Sequence, residues 1–149
     1  LDFSFFEYYI STNIEMIKTM ENKIKILKAI SDQNRIRILK MLQNKVMCVC
    51  EITQVLKLAT STVSNHLSIL KEAGLLIEKK EGKWINYSIN NNSKDSFINS
   101  IIAMLNLWFE DEKIIEEDRI KSNNCNRDKI CKLEVSRRKI NSKNIETKV

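Results

Sequence analysis

Ile10, Ile14, Ile17, Met20, Ile24, Leu27 and Ile30 recur at steps of three and four, with mostly polar residues between them. That period marks one face of an α-helix and predicts a helix, single and bent or in two pieces, over about 5–30. Asp32 then offers an N-cap, and Ile36, Leu39 and Leu42 carry a second helical stripe to about Asn44. A short helix is expected over 50–58, a turn at Ala59-Thr60, and a helix over 61–73 with Val63, Leu67 and Leu70 inward. Gly74 stands where a helix needs a residue at positive φ to stop. Gly82 separates two strand-like runs, 75–80 and 83–89, so Glu81-Gly82 reads as a tight hairpin turn. In the second run Ile85, Tyr87 and Ile89 alternate with Asn86 and Ser88, which predicts one packed face and one solvated face. Residues 95–110 are helical again through Ile98, Ile101, Ile102, Leu105 and Trp108. After Asp118 no apolar period is visible. That polar, basic stretch is expected to be partly disordered, and removing it should spare folding.

The chain has 149 residues, enough for one compact domain with extensions. Proline is absent and glycine occurs twice, so helices should dominate. Residues 1–120 balance their charges, and the whole net charge of +6 comes from 121–149. The stretch 18–45 is basic, and Glu110 to Asp118 is acidic. Basic patches on a neutral frame suit nucleic acid, because Lys and Arg displace counterions from phosphates. Charge runs are more often plain solvated helix faces. The start, Leu1-Asp2-Phe3-Ser4, has no cationic n-region and no methionine, as a fragment or an alternative start would. No apolar run approaches about 18 residues, so neither export nor a membrane span is expected. Four cysteines are too few for a disulfide scaffold, and Cys48 and Cys50 are too close to pair with each other. Metal-binding thiols in a reducing cytoplasm fit better.

Helix, turn, helix and hairpin in this order make a winged helix-turn-helix. The second helix must be apolar on one side and small and polar on the other, so that it can enter the major groove. Ser61, Thr62, Ser64, Asn65 and Ser68 are placed to face outward, and Asn65 can pair with adenine. Lys71, Lys79, Lys80 and Lys83 lie where phosphates would pass.

Two residues at i and i+2 point to opposite sides of a helix. Cys48 and Cys50 can therefore share an ion only at a helix start that is not fully helical, or by distorting it. Thiolates there are favoured by the helix N-terminus. Soft sulfur selects soft ions. The alternative is that free cysteines serve as small buried hydrophobes.

Four segments together resemble the arsenic-repressor (ArsR/SmtB) family: Ile30-Ser-Asp-Gln-Asn-Arg-Ile-Arg-Ile-Leu39, Cys48-Val-Cys-Glu-Ile52, Ser61-Thr-Val-Ser-Asn-His-Leu67 and Glu81-Gly-Lys-Trp-Ile-Asn-Tyr-Ser88. The resemblance covers about 22–110. One departure is Gln33, where the family usually has proline, which should alter only the helix start. The resemblance implies a homodimer paired through the first helix and the helix after the wing. It places His66, the only histidine, on the DNA-binding helix in a structural or phosphate-contact role. Zinc-sensing relatives carry ligands on the helix after the wing, and 95–110 holds no histidine. Arsenic repressors of one type add a third cysteine three residues after the pair, where this chain has Thr53. Cadmium-type relatives add cysteines from the N-terminal arm, and none precedes Cys48 here. Cys125 and Cys131 remain as candidates for the missing ligand, from either subunit, with a separate site or an incidental role as the alternatives.

The expected fold is mainly α, a winged helix-turn-helix with a two-stranded hairpin wing and extra N- and C-terminal helices. A helical extension covers 1–21, the DNA-binding and dimerisation domain 22–110, and the cysteine-containing tail 111–149. The expected function is a repressor of double-stranded operator DNA, released by arsenite, antimonite or a soft cation such as cadmium or lead. No permanent cofactor is expected. A thiol redox or persulfide sensor on the same fold is the alternative. An enzyme is not expected: there is no Cys-x-x-Cys, no base paired to a nucleophile and no phosphate-binding glycine loop.

Overall fold

A computed structural model describes residues 3–130. The long N-terminal stripe forms one helix, α1 (Phe3–Ala29), of which only Ile26 and Ala29 are buried. Arg35 caps its C-terminal end, with Nε donating to the Ala29 carbonyl and Nη2 to the Lys28 carbonyl at 2.9 Å. Asp32 is the N-cap of α2 (Gln33–Asn44), as expected, and accepts from the Arg35 N–H at 2.9 Å. Gln33 is its first residue. Ile38, Leu39, Met41 and Leu42 of α2 form the middle of the core.

The chain next makes a two-residue strand, β1 (Met47–Cys48), which the residue pattern did not suggest. It runs into α3 (Val49–Leu56), which stops at Lys57 in the left-handed region (φ 55°). A short link leads to α4 (Thr60–Glu72). Gly74 follows at φ 80°, and a Cβ there would also press on Ile98. The hairpin β2 (Leu76–Glu81) and β3 (Trp84–Ile89) turns at Gly82 (φ 60°). The hairpin is the expected two-stranded wing, and β1 adds a third strand to its antiparallel sheet, in the order β1-β3-β2. β3 is central, pairing Cys48 with Asn86 on one side and Lys79 with Asn86 on the other.

The expected alternation along β3 is only half right. Ile89 is buried and Tyr87 half-buried, but Ile85 is 45% exposed and Asn86 is 4% exposed. Ile85 lies toward the hairpin tip, beyond the reach of the core. Asn86 is enclosed between two strands and donates from Nδ2 to Glu81 Oε2 at 2.6 Å.

The helix after the wing, α5 (Ser96–Leu107), is capped by Asp95, which accepts from the Phe97 N–H at 2.8 Å. Ile98, Ile101, Ile102 and Leu105 bury one side of it. A further helix, α6 (Lys113–Asn124), runs past Asp118, into the stretch where partial disorder was expected. It packs on α2 and α3 with Ile115, Asp118 and Ser122 buried, and Cys125 continues that line against the core. The helical spacing was present in the sequence, but two of the inward residues are polar. Their partners make the burial tolerable. Arg37 grips Asp118 with two bonds, at 2.6 and 2.9 Å, and Lys45 donates to the Ser122 carbonyl at 3.0 Å. Buried Lys40 donates to the Leu105 carbonyl and pairs with Glu110, which also holds Arg119 at 2.8 Å. A chain cut after Asp118 would lose the second half of α6. The expectation that such a cut spares folding does not fit this packing. Residues 131–149, where disorder was also expected, lie outside the described residues.

Asp118 is 1% exposed, so removing its partner leaves a buried charge uncompensated. Arg37→Ala should cost about 3–5 kcal/mol of stability by urea unfolding, while replacing both partners by packed apolar residues should cost far less.

Candidate nucleic-acid interface and thiol site

α4 has two contrasting faces. Val63, Leu67 and Leu70 are buried, while Ser61, Thr62, Ser64 and Asn65 are exposed. Its N-cap is Ala59, which supplies no side-chain cap, so the first amide groups stay open to an outside acceptor such as a phosphate. Ser68 is half-buried and donates to Glu72 Oε1 at 3.3 Å, so it belongs less to the open face than its sequence position implied. The His66 side chain is 12% exposed, with Nδ1 3.9 Å from Asp32 Oδ1. It leans on the N-cap of α2 instead of projecting outward.

Of the lysines, Lys71 pairs with Glu78 at 3.1 Å and Lys79 with Glu81 at 3.2 Å. Both pairs are exposed and weak, so a phosphate can compete for either lysine. Lys80 is exposed on β2. Lys83, beside the hairpin glycine, holds its Nζ 4.8 Å over the Trp84 ring centroid.

The two neighbouring cysteines lie where a strand becomes a helix. Cys48 is the last residue of β1 and the N-cap of α3, with extended backbone (φ −91°, ψ 168°). Cys50 is already in the first turn. This is the incompletely helical start that a shared ion requires. Cys48 is buried and Cys50 half-buried. Through the β1–β3 ladder Cys48 is also joined to the wing.

Glu51 organises this corner. It is 3% exposed, and its Oε2 accepts from the Cys48 N–H at 2.9 Å and from Arg127 Nη2 at 3.2 Å. Lys45 Nζ lies 3.4 Å from the other oxygen. Burial pushes the Glu51 carboxyl up, but the Cys48 amide, Arg127 and Lys45 outweigh it and hold the group below the ordinary carboxylate range. The Arg127 guanidinium also sits 5.8 Å from the Trp84 ring centroid.

Cys125 ends α6 and is half-buried against the core. Burial pushes its thiol up; Lys45 opposes this, while Glu51 and Cys48 add to it. A metal ion binding there must displace the proton. Thr53, in the place of the third sulfur, has its Oγ1 buried without a hydrogen-bond partner among the described residues. Among those residues no three His, Cys, Asp or Glu side chains are grouped to hold an ion. Cys131 lies outside them.

Sequence reasoning missed Glu51, Lys45, Trp84 and Arg127. The signal for Glu51 was its place three residues after Cys48, the spacing of a capping box. Nothing local links Arg127 to Glu51 across 76 positions.

These features define a winged helix-turn-helix regulator of the DNA-binding class. Residues 32–78 match the family described as bacterial regulatory protein, arsR family. An uncharacterized HTH-type transcriptional regulator of Methanocaldococcus jannaschii is 47% identical over 70 residues, covering 46% of this chain and 79% of that protein. An arsenical resistance operon repressor of Bacillus subtilis is 31% identical over 93 residues, covering 62% and 82%. A cadmium resistance regulatory protein homolog of Staphylococcus aureus is 37% identical over 67 residues, with 44% of this chain matching 55% of that one. Among solved structures, reduced HlyU from Vibrio cholerae superposes with a TM-score of 0.53 at 29% identity, covering 64% of this chain and 98% of that one. A winged helix-turn-helix DNA-binding domain from Mycobacterium bovis gives 0.53 at 22% identity, over 61% and 81%, and supports the fold alone. The chain belongs to the arsR family of transcriptional regulators, which are not enzymes. No helix among the described residues is long and apolar enough to cross a membrane.

Two measurements test the interface. Asn65→Ala should cost about 1–3 kcal/mol on the protein's own operator and much less on random duplex, if Asn65 reads a base. Lys83→Ala should weaken binding to both alike and lower the salt slope by about one. An unchanged slope would take the wing out of the interface.

Proposed function

We propose that this protein is a repressor that senses soft metals and metalloids. A homodimer binds a two-fold symmetric operator through α4 and the wing. Coordination of arsenite, antimonite, cadmium or lead by Cys48 and Cys50 releases it. The observation that carries this reading is the position of Cys48. It is at once the extended N-cap of α3, the helix that packs on α4, and a strand partner of the wing. An ion that draws Cys50 toward Cys48 must rebuild the first turn of α3, and so disturbs both DNA-contacting elements. The names of the Bacillus and Staphylococcus relatives, arsenical and cadmium resistance, agree with a sulfur-seeking ligand.

Two sulfurs leave an arsenite site incomplete, and Cys125 or Cys131 would supply the third, from the same or the partner subunit. Dimerisation is supported by uncovered apolar side chains on both helices expected to pair. Ile10, Ile14, Ile17, Met20, Ile24 and Leu27 of α1 are 40–65% exposed, and Met104 and Leu107 of α5 are exposed too. Thiols that bind a soft ion must stay reduced, which fits work in the cytoplasm. A coupling of about 3 kcal/mol would lower operator affinity roughly 150-fold on ligand binding.

A second reading is a thiol switch, in which Cys125 forms a disulfide with Cys48 or Cys50. Its support is that α6, which Cys125 ends, packs on α3, the helix that Cys48 caps and whose first turn holds Cys50. Release of DNA by a mild oxidant, in metal-free protein and reversed by thiols, would favour it.

The test is a titration of operator-bound protein with arsenite and cadmium, read by fluorescence anisotropy. Cys48→Ser and Cys50→Ser should each keep operator binding but resist release. Cys125→Ser with Cys131→Ser should lower ligand affinity at least about tenfold, or about 1.4 kcal/mol. Sulfur coordination by X-ray absorption should fall from three to two in that variant. Equal release of wild type and the Cys48→Ser/Cys50→Ser double variant would place the sensor elsewhere.

A further inference from the structure

We propose that Arg127 is a positioning residue that couples the thiol site to the wing. The proposal rests on the reading of Cys48 and Cys50 as the ligand site, and it concerns how that site is read out. Arg127 opens a new helical turn whose start is capped by Asn126, with Oδ1 accepting from the Asp128 and Lys129 N–H groups at 3.1 and 3.2 Å. That cap holds the Arg127 backbone in place. Its guanidinium then reaches two structures at once. One is Glu51 Oε2, the same oxygen that takes the Cys48 N–H. The other is the face of Trp84, the first residue of β3. Lys83 contacts that ring as well, so the line runs from Cys48 through Glu51, Arg127 and Trp84 to a lysine placed to meet phosphate.

A carboxylate this deeply buried needs its hydrogen-bond donors to move with it. Bringing Cys48 and Cys50 onto one ion changes the backbone at Cys48, whose N–H is one of those partners. The remaining donors must then move with the carboxylate. Lys45 can follow without consequence for the wing, since among the described residues its polar partners are Glu51 and the Ser122 carbonyl. Arg127 cannot follow without leaving Trp84. Arginine suits this double role and lysine does not, because the planar guanidinium donates at its edge and stacks with its face.

The competing route is the β1–β3 ladder, which joins Cys48 to Asn86 directly and does not involve Arg127. Full-length wild type, Arg127→Ala, Arg127→Lys and Lys45→Ala separate the two. Cadmium binding is followed by thiolate-to-metal absorbance and operator affinity by anisotropy. Arg127→Ala should take up cadmium and, without it, bind operator much as wild type does. Its cadmium-induced loss of operator affinity should shrink at least about tenfold. Arg127→Lys should fall between, and Lys45→Ala should keep the wild-type loss. Full release of Arg127→Ala would overturn the proposal in favour of the ladder.

A second readout needs no ligand. The Trp84 indole N–H resonance should shift on Glu51→Gln in the wild-type background and stay still in the Arg127→Ala background. Equal shifts in both backgrounds would overturn the coupling. If wild type fails to bind cadmium or to release DNA, the proposed function falls, and the indole comparison still decides whether Arg127 links Glu51 to the wing.

Discussion

The Glu51 carboxylate is almost completely removed from water, and a lone charge in that position would be intolerable. It is held by an amide at the start of its own helix, by Lys45 from the end of α2 and by Arg127 from beyond α6. Those three partners come from three separate stretches of chain. One buried group thereby sets where α3 begins, how the segment after α6 lies on the domain, and what surrounds Cys48. It also makes the corner responsive. An apolar contact can slide without much cost, whereas a buried ion pair either keeps its geometry or loses most of its value.

The same physics explains why α6 stays on the domain. Its inward face is too polar to be driven there by the hydrophobic effect alone. Ile115 contributes apolar burial, but Asp118 needs the Arg37 fork and the Ser122 carbonyl needs Lys45. Lys45 therefore serves two elements, the last turn of α6 and the first turn of α3. The reading helix is supported differently. Val63, Leu67 and Leu70 fix α4 by ordinary apolar packing, which leaves its outer face free of structural duties and open to DNA.

The uncovered stripe of α1 is the counterpart of this arrangement. A helix of 27 residues that buries only two side chains gains little stability from the rest of its own chain. Its apolar face lies uncovered, and a second copy, as proposed, would supply a surface with matching chemistry.

Much of this protein is legible from its residues alone. The periods of 3.6 and 2, the Asp32 cap, Gly74 and Gly82 define the order of helices and the hairpin, because these signals act between near neighbours. The outward polar set Ser61, Thr62, Ser64 and Asn65 follows from the same period. That thiols at i and i+2 can face one point only where the backbone is not helical is also local geometry, and Cys48 is extended. What local pattern could not decide was anything settled by partners far along the chain. β1 is two residues long and exists only because β3 offers it a ladder. Asn86 is buried and Ile85 exposed because of where the neighbouring strands end. His66 lies inward, near the Asp32 cap, a neighbour that the period of its own helix does not reveal. α6 looked unstructured because its buried positions are polar, and polar positions can be buried only when remote charges are brought to meet them. The Glu51–Arg127 pair is the extreme case: two charged residues 76 positions apart that only the tertiary fold joins.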